Sequence, residues 1–222
     1  MRTLDRYARR GLWALVAWAV LLLYATFTHQ PPYRTDFAGW ARYVTGTGFL
    51  VSHLVGSILG AGLGILGFVA LAVLLIERGW PRLAVWAMVT AVLGAVFTTA
   101  VFGVAAFAQP AIGRAFLAGH RDVVDLYNDV NGAPLFATAA AGVLLLSAGL
   151  ILFGTGVARA ALAPVAAGVA IAVGGPLFAI VGVILADWVQ SVGVALLVVG
   201  TAWTAWSCRH GRTLDTARAR LA

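Results

Sequence analysis

Residues 52–67 read Ser-His-Leu-Val-Gly-Ser-Ile-Leu-Gly-Ala-Gly-Leu-Gly-Ile-Leu-Gly. Ser52, Gly56, Gly60 and Gly64 recur at every fourth position, which sets them in one row along a helix. In water that helix is poor, because each glycine costs about 1 kcal/mol against alanine. In a bilayer the backbone must bond internally anyway, and a row of small residues lets a second helix approach closely. The stretch therefore specifies a membrane helix packed inside an all-α bundle.

Working outward, the composition agrees. Hydrophobic residues make up 62% of the 222 positions and charged residues 10%, against roughly 25% charged in an ordinary soluble domain. So little polar sequence leaves no room for a separate soluble domain, and a single integral membrane domain over 1–222 is expected. The net charge of +7 does not point to nucleic acid, because the arginines sit at the ends of apolar segments. There is no lysine, a bias of the kind a GC-rich bacterial genome produces. The single Cys208 excludes an internal disulfide and any multi-cysteine metal site. Arg2 to Arg10 ahead of an apolar run resembles a signal peptide, but Tyr24-Ala25-Thr26-Phe27-Thr28 lacks a small-x-small cleavage pattern. An uncleaved first span is the better reading.

Six segments are apolar enough to span: approximately 11–28, 48–76, 82–108, 133–154, 161–185 and 188–207. Arg2, Arg6, Arg9, Arg10, Arg78, Arg82, Arg159, Arg209, Arg212, Arg218 and Arg220 fall on one side of these spans. Arg34, Arg42, Arg114 and Arg121 fall on the other. The bias places both termini in the cytoplasm of a bacterial inner membrane. Asp36, Asp122, Asp125, Asp129 and Asp187 then all lie outside.

The two long outer segments each predict a short amphipathic helix lying at the interface. One covers Asp36 to Val44; the other, opened by Pro110, covers Arg114 to Asp129. Slid by 86 residues, the chain matches Asp36 to Asp122, Val44 to Val130, Gly46 to Gly132 and Gly56 to Gly142. A two-fold internal repeat over about 36–109 and 122–187 is the expectation, its axis along the membrane normal. In the fifth span, Gly174-Gly175-Pro176 predicts a kink.

His53 is the one histidine placed inside a span, about 9 Å deep at 1.5 Å per residue. It is a functional candidate, competing with a neutral histidine bonded to a neighbouring helix. Ser52 and Ser57 flank it, and Gly56, Gly60 and Gly64 below are for helix packing. Bis-histidine haem finds no partner at matching depth: His29 and His120 lie outside the hydrocarbon and His210 at the opposite face. Asp122, Asp125 and Asp129 share one helical face, with Asp187 able to join from the last turn. They compete with a simple solvated acidic face, and their spacing matches no metal loop. Arg114 is a candidate for a lipid phosphate, against plain snorkelling. No phosphate loop, HExxH, CxxC or nucleophile elbow occurs, so neither catalytic residues nor a cofactor or metal is assigned.

Thr47-Gly48-Phe49-Leu50-Val51-Ser52-His53-Leu54-Val55-Gly56, then Gly149-Leu150-Ile151-Leu152-Phe153-Gly154 and the glycine-rich fifth span, resemble an uncharacterised bacterial family of six-helix membrane proteins. The likeness covers about residues 5–205 and implies a six-helix bundle with no assigned site. The leading expectation is a non-enzymatic membrane protein that binds a lipophilic ligand or partner protein in an outward-facing cavity. His53, Ser52, Ser57, Asp125, Asp129 and Arg114 would serve that ligand. Two rivals stand beside it. One is a small transporter or permease-like subunit. The other is a membrane enzyme acting on a lipid or isoprenoid, with His53 and an outer aspartate as acid and base. Membrane lipid, and a second copy or a partner membrane protein, are the expected partners; nucleic acid is not.

Overall fold

The computed structural model describes residues 2–27 and 30–221, and their side chains except those of Arg2, Thr3, Val183 and 211–221. His29 and the side chains of Arg212, Arg218 and Arg220 lie outside this description. Among the described residues there are helices and no strands, and the helices form eight elements. These are α1 (Arg2–Thr26), α2 (Phe37–Val44), α3 (Thr47–Glu77), α4 (Pro81–Leu117), α5 (Val123–Val130), α6 (Ala133–Arg159), α7 (165–185) and α8 (Asp187–Leu221).

Five helices are long and apolar enough to cross a membrane, and α7 is a shorter apolar sixth. These six form a closed ring in chain order. The contacts run α1 to α3, α3 to α4, α4 to α6, α6 to α7, α7 to α8, and α8 back to α1. Outward faces carry large apolar side chains, among them Leu66, Phe107, Phe136, Ile184 and Trp188, each more than 60% exposed. A surface of that kind suits hydrocarbon rather than water. Inside the ring, Trp18 of α1 meets Phe68 of α3 edge-on at 5.2 Å, and Phe68 stacks on Phe153 of α6 at 5.6 Å. This aromatic layer fills the interior of the ring between α1, α3 and α6.

The short helices close one end, the capped end. Asp36 begins α2 by accepting the Gly39 N–H at 2.7 Å. Replacing Asp36 with alanine should lower stability by about 1 kcal/mol, measurable in a denaturant titration, with asparagine retaining most of it. The short helix expected over Asp36 to Val44 is α2, and both α2 and α5 bury their apolar faces against the end of α4. Trp40, Ala41, Val44 and Tyr127 pack there with Ile112 and Phe116. Gly113 makes room for α2: a methyl on it would meet Val44 Cγ2 at 2.9 Å and Ala41 O at 3.0 Å. This packing explains a correction. The third span does not stop at 108 with Pro110 opening a loop. Instead α4 runs through buried Pro110 to Leu117. A proline forfeits one intrahelical bond, and docking of α2 and α5 on the extra turns offsets that loss. The segment Arg114 to Asp129 is accordingly not one helix. Arg114 belongs to α4, Gly119 turns the chain at φ +104°, and α5 starts at Val123.

The opposite end carries short turns and most of the arginines. There α1 begins at Arg2 rather than near residue 11, so the arginines extend the helix. The fifth span begins at 165 rather than 161, because 160–164 form the turn after α6. Ala161, in that turn, has φ +48°. A left-handed alanine is strained by about 1 kcal/mol, so Ala161→Gly is expected to raise the thermal midpoint.

Candidate functional site

Above the aromatic layer, the ring encloses a cavity of about 440 Å³ that all six long helices line, with Tyr43 of α2 at its edge. Its deep wall is apolar: Trp18, Leu22, Ala61, Ala95, Leu146 and Phe178. Polar side chains gather toward the capped end: Thr26, Gln30, His53, Asp187 and Gln190. The volume falls in the range of small-molecule sites, roughly 300–1,000 Å³.

Local backbone chemistry creates the wall on two sides. In α3, the Phe49 carbonyl accepts Ser52 Oγ at 2.8 Å and His53 Nδ1 at 2.9 Å. An α-helix would give that carbonyl to the His53 N–H. Competition from two side chains disturbs the regular ladder. The following residues, Ser52–Leu59, take the wider π-helical turn. Such widened turns recur at functional sites. In α7, Pro176 supplies no N–H, and the helix runs on through it into a second π-helical turn, Leu177–Val181. Next to the predicted kink the helix widens its turn, and Phe178 and Ala179 of that turn stand in the cavity wall. Gly174 and Gly175 admit different neighbours. A methyl would meet Gly193 O of α8 at 2.6 Å from Gly174, and Leu150 of α6 at 2.7 Å from Gly175.

His53 is fixed rather than free. Its ring lies on Phe49 with centroids 4.1 Å apart, and Phe102 stands edge-on at 6.4 Å. Since a carbonyl only accepts, Nδ1 carries the proton toward Phe49 O. Ser52 Oγ lies 3.2 Å from the same nitrogen. In the neutral ring Nε2 is then an acceptor, and among the described residues it has no partner. Asp187 adds a carboxylate at the start of α8, and Ser191, one turn on, donates to Thr26 Oγ1 at 3.2 Å.

The remaining sequence candidates are distributed as follows. Ser57 lines the cavity. Ser52 is fully buried and bonds its own helix. Asp125 and Asp129 are exposed on the outer face of α5 and do not line the cavity. Arg114 is exposed in the last turn of α4, also outside it. Gly56, Gly60 and Gly64 face α1: methyls there would meet Ala25 Cβ at 2.9 Å, Leu21 Cβ at 3.6 Å and Trp18 Cγ at 3.0 Å. Among the described residues no three His, Cys, Asp or Glu side chains come together as metal ligands would. Sequence reasoning overlooked Gln30, Thr98, Phe102 and Gln190 as wall residues. Asp187 and Gln190, three apart at the start of an apolar span, carried a readable signal of a shared polar face. No protein-family model, curated protein or solved structure matches the chain.

Proposed function

We propose that this chain is a six-span bacterial inner-membrane protein whose ring cavity binds a lipophilic molecule bearing one hydrogen-bond donor. The observation that carries the reading is the cavity itself: an apolar chamber with the Nε2 acceptor of His53 near its polar end. An alkyl or ring body suits the deep wall, and a hydroxyl or N–H group suits the histidine. Both termini are assigned to the cytoplasm by the arginine bias, so the capped end and the cavity's polar end face outward. The resemblance to a six-helix family belongs with this reading.

The test is chemical extraction of protein purified in mild detergent, followed by mass spectrometry. One donor-bearing lipophile in near-stoichiometric amount is expected, and Ala139→Trp, which fills the cavity from α6, should lose it. Bulk lipids in membrane proportions from both proteins would refute the proposal.

A permease-like role is the second reading, supported by chain geometry. Helices α2 and α5 are eight residues each and begin 86 residues apart, at Phe37 and Val123. The same offset separates the starts of α3 and α6, Thr47 and Ala133. This supports an internal repeat of the kind transporters use. Solute flux in reconstituted vesicles, abolished by Ala139→Trp, would favour it. Under the enzyme reading, the acid near His53 would be Asp187 rather than Asp125 or Asp129.

A further inference from the structure

The end opposite the cap holds a second concavity, and the aromatic layer separates it from the first. It is about 380 Å³ and is lined by Arg6, Arg9, Arg10, Trp13 and Arg209. Helix spacing explains the convergence. Arg6, Arg10 and Trp13 fall at i, i+4 and i+7, on one face of α1. Arg209 approaches from the last turns of α8.

Arg9 pins the two helices together at this point. Its Nε donates to Asp5 Oδ1 at 2.7 Å, and its Nη1 donates to the Cys208 carbonyl of α8. The pin holds Arg209, next in chain to Cys208, beside the α1 arginines. Four guanidinium groups thus share one cleft, and the only acid with a described ion pair there, Asp5, is engaged by Arg9. Like charges at i, i+4 repel, so the arrangement is relieved by an anion. Guanidinium forks match the oxygens of a phosphate bidentately. Exposed Trp13, on the membrane side of the arginines, adds an amphipathic ring of the type found at headgroup depth.

We infer that this cleft binds the phosphate of an anionic membrane lipid, with Arg6, Arg10 and Arg209 as its ligands and Arg9 as the residue that spaces them. The site is independent of the ring cavity and of any ligand there. It differs from general attraction to an acidic surface, because Arg9 ties α1 to α8 and so sets which arginines converge.

The test uses full-length protein in a neutral detergent. Phosphatidylglycerol, cardiolipin and phosphatidylcholine are titrated in separate native mass-spectrometry experiments, and inorganic phosphate forms a fourth arm. Expected is retention of the anionic lipids over phosphatidylcholine. The triple variant Arg6→Gln/Arg10→Gln/Arg209→Gln should bind them roughly a hundredfold more weakly. Arg34→Gln/Arg42→Gln/Arg121→Gln removes the same charge at the capped end and should bind as wild type. Thermal melting of both variants without lipid keeps loss of folding distinct from loss of binding. If the triple variant does not fold, Arg209→Gln alone should weaken binding severalfold. Equal loss in the two triple variants would overturn the inference, as would equal retention of phosphatidylcholine. Displacement of bound lipid by inorganic phosphate at equal affinity would overturn the lipid assignment.

Discussion

Replacing Gly149 with alanine should destabilise the bundle by about 1–3 kcal/mol, the range for overpacking a core that cannot relax. A methyl at Gly149 of α6 would stand 2.6 Å from Ala91 Cβ and 2.7 Å from Ala91 Cα of α4. Backbone atoms cannot swing aside as a side chain can, so the helix pair must separate. Gly67→Ala should behave alike, because its methyl would lie 2.7 Å from the Leu15 backbone nitrogen of α1. Gly62→Ala and Gly103→Ala are the controls: a methyl on either meets nothing within 4 Å. These should gain up to about 1 kcal/mol from helix propensity. Gly60→Ala, whose methyl would meet Leu21 Cβ at 3.6 Å, should fall near neutral. Thermal melts in one detergent would check the series. Gly149→Ala melting with wild type would show that α4 and α6 do not approach as closely as described.

His53→Phe should leave the fold intact and weaken binding of the cavity ligand roughly five- to hundredfold, the value of one lost hydrogen bond in a largely apolar site. Phenylalanine preserves the ring that lies on Phe49 and removes the Nε2 acceptor. It also frees the Phe49 carbonyl from one of its two side-chain donors, leaving Ser52 Oγ. His53→Gln, which retains an acceptor, should recover part of the binding. Quantifying the extracted ligand per mole of protein separates these variants, and unchanged occupancy in His53→Phe would remove the histidine from the site.

Much of the helix layout was legible because long apolar runs have few other uses. The boundaries were less so. Pro110 reads as a stop, yet the helix continues, since α2 and α5 pack on the extra turns and no local signal announces that contact. The widened turn at Ser52–Leu59 was not legible either. It coincides with two side chains sharing one carbonyl, and that depends on the Ser52 and His53 rotamers. Polar residues inside a span were informative: His53 and Ser57 line the cavity. Acids on a short surface helix were not. The burial of Tyr127 turns Asp125 and Asp129 away from the ring. The small-residue row likewise named one face of α3 but not the tightest approaches. Those lie at Gly94 against Leu146 and Gly154 against Gly168, where the partner helix decides the contact.

The central claim is that the ring cavity is a ligand site. The direct measurement is a high-resolution density map of the protein in a lipid nanodisc. Elongated density along Trp18, Leu146 and Phe178, ending in a polar group within hydrogen-bond distance of His53 Nε2, is the predicted result. A cavity collapsed onto its own side chains, or holding only water while the ring and cap remain as described, would contradict it.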